Sequence, residues 1–276
     1  MMAPPHYSAH SNERTVLFIL SANFSGSTYL ALILGSHSEA AYVGELYKMF
    51  LPEPVPCRLC EERGEACKTF NDVTTTRPED IHHRVFEKTH RRLIVDNSKT
   101  IDWSRKFLSE SRFQRKYIHL IRDPRGLAFS MRLRDQPPDI PGWLKQNYNI
   151  RDFLEGQRCD YRTITYNEVA EETDRTLSEL NSWLGLSIEQ GQKRYWNFDH
   201  HGPGRNGATA AFLENFISPD KSFYDETKKS EFHDLRWKHG LDANTVRAIT
   251  YNQKIREFLD RFGLDLSDTG LTRTRR

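Results

Sequence analysis

Four short runs of β-branched and aromatic residues, separated by helix-length segments, constrain the fold of this 276-residue chain more than any other feature. The runs TVLFIL, RLIVD, KYIHLI and YRTITY occupy residues 15–20, 92–96, 116–121 and 161–166. Strands that alternate with helices form βαβ units, whose strands pair in parallel. The pattern predicts an α/β fold, a single domain with a central, mainly parallel sheet flanked by helices.

Helical patterns fill several of the intervening segments. Residues 27–36 are apolar on nearly every side, which is typical of a helix buried against a sheet. Leucines at helical spacing mark a second helix over 177–184, and an apolar stripe predicts a third over 246–262. We expect a flexible N-terminus over 1–13, one domain over 14–270 and a basic tail over 271–276.

The composition favours an ordinary globular protein. Hydrophobic residues make up 37% of the chain, charged residues 28%, and the net charge is +2, which gives no indication of a nucleic-acid binder. No apolar run approaches the ~18 residues that a membrane-spanning helix requires, and the N-terminal residues lack the apolar centre of a signal peptide. We therefore expect a cytoplasmic protein with no membrane partner.

The segment SANFSGSTYL, residues 21–30, joins the first strand to the first helix through small hydroxyl residues. A helix start presents unpaired backbone N–H groups and a positive dipole end, so this turn predicts an anion site, most often for phosphate. It lacks the lysine and the first glycine of the nucleotide triphosphatase loop, which argues against an ATPase or kinase. An ordinary turn with Ser25 or Ser27 as helix cap is the alternative.

A second strand-to-helix junction carries the segment RDPRGLAFS, residues 122–130. Ligands of such sheets gather at the carboxyl ends of the strands, so both junctions can face one crevice. Arg122 offers a planar fork for phosphate, and Ser130 offers a hydroxyl. The alternative is a surface arginine paired with Asp123.

Together the two motifs resemble those of sulfotransferases that use 3'-phosphoadenosine 5'-phosphosulfate (PAPS). In that family an S-G-S/T-T loop binds the 5'-phosphosulfate, and an R-D-P-R-x-x-x-x-S segment binds the 3'-phosphate through its Arg and Ser. The matching residues are Ser25, Gly26, Ser27 and Thr28 in the first motif and Arg122 and Ser130 in the second. The resemblance implies a P-loop-like sulfotransferase fold, PAPS as donor and adenosine 3',5'-bisphosphate (PAP) as product, with no metal required.

Further segments extend the resemblance over most of residues 15–225. VGELY is similar to the G-E segment in which tyrosylprotein sulfotransferases carry their catalytic base, which implies that role for Glu45. LIVDNSKT is similar to the V-D-S-S-K segment of bacterial and carbohydrate-type members, and we expect Lys99 to stabilise the leaving group. TITYNEV is similar to their Y-E-D-L strand and implies a nucleotide contact for Tyr166. HGPGRNG resembles the G-N-x-x-R loop that closes over the nucleotide, which nominates Arg205.

Three of these assignments have alternatives. LILGSH resembles the family's helix that ends in histidine, so His37 is a second candidate base, although a structural role at the helix end is the favoured interpretation. Glu45 is alternatively a solvated carboxylate, and Lys99 a lysine at a helix start that Ser98 caps. Phe24 stands where most relatives carry Lys or Arg, so either another cation acts on the sulfate, with Lys99 as the candidate, or the activity is altered.

Three of the four cysteines lie close together, at positions 57, 60 and 67. Zinc would need a fourth ligand, for which the sequence offers Cys159, His82, His83 or His90. Reduced structural thiols are the expectation for a cytosolic chain. His200 and His201, in the glycine-rich loop, are candidates for lining an acceptor pocket and are left out of the catalytic set.

The sequence therefore predicts a PAPS-dependent sulfotransferase that acts on a hydroxyl, amine or amide of a small molecule, such as a natural product. Segments 135–150 and 200–222 are candidate walls of the acceptor site. The aromatic residues assigned to these walls are Trp143, Tyr148, Phe212, Phe216 and Tyr224. A non-catalytic nucleotide-binding protein is the second hypothesis, and a kinase is the third.

Overall fold

Five parallel strands form the central sheet of the computed structural model, which describes residues 13–71, 76–204 and 233–274. The strands are β1 (Thr15–Ser21), β2 (Ala40–Tyr42), β3 (Leu93–Lys99), β4 (Gln114–Ile121) and β5 (Tyr161–Thr165). Their order is β2-β3-β1-β4-β5, and every adjacent pair is parallel. The predicted α/β class with a parallel sheet is confirmed.

Helices cover both faces of the sheet. They are α1 (Ser27–Gly35), α2 (Arg58–Arg63), α3 (Ile81–Thr89), α4 (Ile101–Arg105), α5 (Pro124–Arg132), α6 (Ile140–Gly156), α7 (Tyr166–Glu171), α8 (Thr173–Trp183), α9 (Trp237–Gly240), α10 (Ala243–Thr250) and α11 (Gln253–Asp260). Short 3-10 segments occupy Leu46–Phe50, Pro78–Asp80 and Gln192–Asn197. Among the described helices, none combines the length and the apolar character needed to cross a membrane.

Strand β1 is buried at every position because it lies in the middle of the sheet between two helical layers. Its successive side chains point to opposite faces, so Leu17 and Ile19 pack with α1 and α8, whereas Phe18 packs with α3, α4 and α6. A strand covered on both faces has a continuous apolar sequence, which is the pattern seen in the sequence.

The sequence did not predict β2, the short strand at one edge of the sheet. Its three residues, Ala-Ala-Tyr, include no β-branched side chain, and a run of this length has no periodicity to detect. Hydrogen bonding to β3 forms the strand: Tyr42 pairs with Val95.

The C-terminal region differs from the prediction in two ways. The single helix expected over 246–262 is two helices, because Asn252 caps α11 by accepting a hydrogen bond from the N–H of Ile255. The tail expected over 271–276 begins instead with a strand, β7 (Gly270–Arg273), which pairs antiparallel with β6 (Leu264–Ser267) and buries Leu271. The N-terminal residues 1–12 lie outside the described part of the chain.

Candidate active site

The loop between β1 and α1 forms a tight cradle against Tyr166. Gly26 has φ +84°, and a Cβ at this position would lie 2.6 Å from the Tyr166 ring. Ser25 is 1% exposed, and within the described residues its Oγ has no hydrogen-bond partner. Ser27 begins α1, whose first turn adds backbone N–H groups. A buried, unpaired hydroxyl beside a helix start is what an anion site requires.

Arg122 directly follows β4 and reaches across to this loop. Its Nη1 donates a hydrogen bond to the carbonyl of Phe24 (2.7 Å), and its Nη2 contacts Asp234 (3.0 Å). The guanidinium lies 4.7 Å from the centroid of the Tyr166 ring. The structure therefore brings Arg122, Tyr166 and the loop together at the carboxyl edge of the sheet.

The second arginine of the RDPR segment has a different role. Arg125 forms a buried ion pair with Asp123 (2.7 Å), and its guanidinium lies 4.1 Å from the centroid of the Trp237 ring. Asp123 also caps α5 by accepting a hydrogen bond from the N–H of Arg125. The alternative interpretation, in which Arg122 pairs with Asp123, is wrong because Arg125 occupies that carboxylate. Ser130 lies one turn further along α5 and donates to the carbonyl of Gly126 (3.0 Å).

Glu45 lies between two lysines, Lys99 at the end of β3 and Lys48 in the 3-10 segment Leu46–Phe50. Lys99 contacts its Oε1 at 2.7 Å, and Lys48 contacts its Oε2 at 2.5 Å. Burial acts to raise the pKa of Glu45, but the charge of Lys99 and the hydrogen bonds from both lysines outweigh it, so this pKa lies below its usual value. Glu45 is therefore a buried, ionised carboxylate and not a solvated one.

Buried Asp96 fixes the end of β3, where Lys99 adopts φ +66°. Asp96 accepts hydrogen bonds from the indole of Trp103 (2.8 Å) and the N–H of Ser98 (2.9 Å), and it contacts Nε2 of His82 (2.9 Å). The hydroxyl of Ser98 also donates to Asp96, so it does not cap α4. These contacts hold the left-handed backbone that directs Lys99 toward Glu45.

His37 is not part of this group. It lies beyond the far end of the nine-residue α1, which is about 13 Å long. Its Nδ1 accepts a hydrogen bond from the N–H of Glu39 (3.0 Å), and its Nε2 lies 3.1 Å from the carbonyl of Ser187. Both ring nitrogens therefore serve the local structure, and His37 is not retained as a candidate base.

An arginine that the sequence did not nominate lies next to Phe24. The guanidinium of Arg134 is 4.8 Å from the centroid of the Phe24 ring, and its Nη1 donates to the carbonyl of Ser130 (2.8 Å). The sequence feature that could have identified Arg134 is its spacing, because a residue four positions after Ser130 lies near it if the helix continues. A cation is thus present beside the residue that replaces the usual Lys or Arg.

Two of the aromatic residues predicted to form walls of the acceptor site, Trp143 and Tyr148, lie in the described part of the chain, and both pack in the hydrophobic core. Trp143 and Tyr148 pack edge-on against Phe258 in the core. Phe212, Phe216, Tyr224 and the nominated Arg205 lie outside the described residues.

A cavity of about 550 Å³ opens beside Lys99, between α4 and α6. Its lining consists of Lys99, Ile101, Asp102, Arg105, Gln146, Asn149, Ile150, Asp152, Phe153 and Gln157. The lining residues of α6 recur at three- and four-residue spacing, so helical periodicity in this segment could have identified the face. Helix α6 was not predicted from the sequence, because many of its residues are polar and its first residues were interpreted as part of an irregular segment.

The cysteine group acquires a different neighbour from those considered. His201 Nδ1 lies 3.4 Å from the sulfur of Cys60, whereas His82 is bonded to Asp96 and Cys159 packs near Tyr117. The group that lies beside the three sulfurs is His201, which was considered from the sequence only for the acceptor pocket. Residues 141 positions apart were brought together by the fold, which no local spacing reveals.

Comparison with known proteins yields a structural likeness. No family model and no curated protein sequence matches the chain. The sulfotransferase domain from the curacin biosynthetic pathway superposes with a TM-score of 0.55, covering 90% of this chain and 97% of that domain at 18% identity. The chain has the sulfotransferase fold.

Two further sulfotransferase structures align over a similar length. The domain from the Synechococcus PCC 7002 olefin synthase is 21% identical, with a TM-score of 0.49, and covers 91% of this chain and 96% of its own. Mouse sulfotransferase SULT7A1 complexed with PAP is 11% identical, with a TM-score of 0.47, over 90% and 89%. The sulfotransferase fold predicted from the sequence is thus confirmed by the curacin pathway domain.

Proposed function

We propose that this protein is a sulfotransferase that moves the sulfuryl group of PAPS to a hydroxyl, amine or amide of a small-molecule acceptor. One observation carries the proposal: the Ser25 hydroxyl, which has no hydrogen-bond partner among the described residues, lies in a glycine cradle between Arg122 on one neighbouring strand end and the Lys99–Glu45 pair on the other. The order of β3, β1 and β4 in a sheet with the sulfotransferase fold supports this arrangement.

The donor would bind across the two junctions. The loop Ser25–Thr28 would hold the 5'-phosphosulfate through backbone N–H groups and hydroxyls, and the absence of a Cβ at Gly26 keeps the backbone close to Tyr166. Arg122 would hold the 3'-phosphate, and the hydroxyl of Ser130 on α5 would contact the same phosphate. Asp234 is shared between Arg122 and Arg236, so this corner has positive charge in excess for an anion.

The chemistry requires an acceptor positioned in line with the bond that breaks. Glu45 would take the proton from the acceptor O–H or N–H while the acceptor atom bonds to sulfur. The bond between sulfur and the bridging phosphate oxygen breaks, and its electron pair stays on PAP. Lys99 and the loop N–H groups would stabilise that developing charge.

The ion pair couples the two catalytic roles. Lys99 lowers the pKa of Glu45 in the structure, so a carboxylate in this state is ionised but a weak base. When Lys99 turns toward the sulfuryl group, its charge leaves Glu45 and the proton affinity of the carboxylate rises. Binding of PAPS would thus activate the base at the moment it is needed.

The cavity beside Lys99 is the proposed acceptor site. Its volume of about 550 Å³ is in the range of small-molecule pockets. The lining combines the apolar side chains Ile150 and Phe153 with the polar Gln146 and Asn149. This mixture fits a compact acceptor with several polar groups better than a purely apolar one.

The test is transfer from PAPS to a library of small alcohols, phenols, amines and amides, followed by mass spectrometry. Sulfated product and an equal amount of PAP, formed only when an acceptor is present, are the expected result. A protein that binds PAP but forms no product would support the non-catalytic hypothesis. Phosphorylation that depends on ATP and magnesium would support the kinase hypothesis.

A further inference from the structure

Three sulfur atoms and one imidazole nitrogen meet between the cysteine hairpin, residues 57–67, and the loop at residues 200–204. His201 Nδ1 lies 3.8 Å from Sγ of Cys57, 3.4 Å from Cys60 and 3.6 Å from Cys67. All four ligand atoms lie within 4.8 Å of one another. A tetrahedral zinc ion, with bonds of about 2.3 Å to sulfur and 2.0 Å to nitrogen, places sulfur and nitrogen about 3.5 Å apart.

Hydrogen bonding alone does not account for this geometry. One ring nitrogen donates or accepts along one direction, yet three sulfurs surround Nδ1 of His201 at similar distances. The cysteines are not joined as disulfides either. We propose that Cys57, Cys60, Cys67 and His201 bind a structural zinc ion.

The hairpin that carries the thiols is held by backbone hydrogen bonds. The N–H of Glu61 donates to the carbonyl of Cys57 (3.0 Å), and the N–H of Phe70 donates to the carbonyl of Cys67 (3.1 Å). Two of the three thiols, those of Cys57 and Cys60, are buried.

The ligand set selects zinc and a structural role. Three thiolates and one imidazole, with a C-x-x-C pair, form the closed tetrahedral shell of structural zinc sites. A shell filled by four protein ligands has no position for a substrate. Iron–sulfur clusters generally use cysteine at all four positions or two histidines on one iron, and neither pattern is present here.

The zinc ion would anchor the backbone that carries Glu45. The loop at 200–204 contacts both the cysteine hairpin and the backbone of Glu45. The N–H of Arg58 donates to the carbonyl of Gly202 (3.3 Å), and the N–H of Glu45 donates to the carbonyl of Pro203 (3.2 Å). A Cβ on Gly44 would lie 2.7 Å from the carbonyl of Pro203, so the two segments are in close contact. The site thus joins a hairpin to a loop more than 130 residues away, next to the proposed base.

Metal analysis of the full-length protein, expressed with zinc in the medium and purified without chelator, tests the proposal. We expect about one zinc per chain in the wild type. Cys60→Ser and His201→Gln should each retain at least about tenfold less zinc after dialysis. Cys159→Ser, which removes the cysteine outside the cluster, is the matched control and should keep the wild-type content.

A second measurement covers the case in which the ligand variants do not fold. Cobalt substituted into the wild-type protein should show thiolate-to-cobalt charge transfer and the intense visible bands of tetrahedral coordination. A wild-type protein without metal, bound iron in place of zinc, or zinc that persists in the Cys60→Ser variant would overturn the proposal. None of these readouts uses PAPS, so they are independent of the proposed transferase activity.

Discussion

Glu45 illustrates how two charges on one carboxylate set its chemistry. Lys99 and Lys48 contact different oxygens, so removing one lysine leaves the other in place. Lys99 also lines the cavity, whereas Lys48 does not. The two lysines therefore allow the effect on proton affinity to be separated from the effect on the leaving group.

The first prediction concerns the base itself. Glu45→Gln keeps the shape of the side chain but cannot accept a proton, so we expect kcat to fall by about 10²- to 10⁴-fold. Affinity for PAP, measured by calorimetry, should not fall, because Glu45 does not belong to the loop proposed to bind phosphate. The exposed Glu53→Gln variant is the control, and a kcat in Glu45→Gln equal to that of the control would exclude Glu45 as the base.

The second prediction concerns the dependence of kcat/KM on pH, which reports the pKa values of the free enzyme. The lowered pKa of Glu45 keeps the carboxylate ionised down to pH values below its usual 4.5, so the acid limb of the wild-type kcat/KM profile should lie below that value. Lys48→Gln removes one of the contacts that lower the pKa, so the acid limb should move to higher pH while kcat at neutral pH remains. An unchanged limb in a kinetic pH profile would contradict this assignment.

Motif comparison nominated Glu45, Lys99 and Arg122 because each lies near a strand end within a short, recognisable segment, and their roles remain predictions. It did not nominate Arg134, and it considered His201 only for the acceptor pocket, because the contacts of both residues depend on distances across the fold. It kept His37 as a second candidate base while favouring a structural role, and the hydrogen bonds of its ring agree with the structural interpretation.

At the scale of elements, the β1–α1 loop combines a left-handed residue with a crowded contact. Gly26 and Gly185 have similar positive φ angles, +84° and +69°. Only Gly26 is tightly packed, with Tyr166 2.6 Å from an added Cβ, whereas the nearest atom at Gly185 is 3.9 Å away. Comparing alanine substitutions at these two glycines therefore separates the cost of a left-handed backbone from the cost of a clash with Tyr166.

The third prediction uses this pair. Gly185→Ala should lower the free energy of unfolding by about 1 kcal/mol, the cost of a left-handed conformation for a residue with a Cβ. Gly26→Ala should lower it further and abolish PAP binding, because the loop must move away from Tyr166. Denaturant unfolding and calorimetry measure the two effects, and equal behaviour of the variants would show that the cradle is not needed.

Elements were predictable where their sequence pattern is long or continuous, as in β1 and α1. Edge strand β2 was not, because its pairing with β3 determines it. The break between α10 and α11 depends on one capping side chain, Asn252, within an apolar stripe that continues through it. Tertiary contacts also convert the start of the basic C-terminal segment into β7, where Arg273 pairs with Glu168 (2.7 Å).

At the scale of the whole molecule, buried His119 links stability to pH. Burial lowers the pKa of His119 to about 4, although its Nε2 is hydrogen-bonded to Asn147 (2.9 Å). Unfolding returns the pKa to about 6.5, so the unfolded chain binds one more proton between these values. His119 therefore contributes stability above pH 6.5 that is progressively lost as the pH falls toward 4.

The fourth prediction follows from this linkage. His119→Gln should remove up to about 1.4 kcal/mol per pH unit from the slope of unfolding free energy against pH in this window. The exposed His239→Gln variant should keep the wild-type slope. Denaturant titrations at several pH values measure it, and identical slopes in His119→Gln and wild type would show that folding does not lower the pKa of His119.

The central claim is that the β1–α1 loop and Arg122 form a site for PAP, and calorimetric titration with PAP and with ATP tests it most directly. We predict that PAP binds more tightly than ATP and that Arg122→Ala weakens PAP binding by about 10- to 100-fold, as expected for a lost charge-assisted hydrogen bond. Arg247→Ala, at an exposed position of α10, should bind PAP like the wild type. No binding of PAP, or equal binding of ATP, would contradict the account and leave the loop as an ordinary helix start.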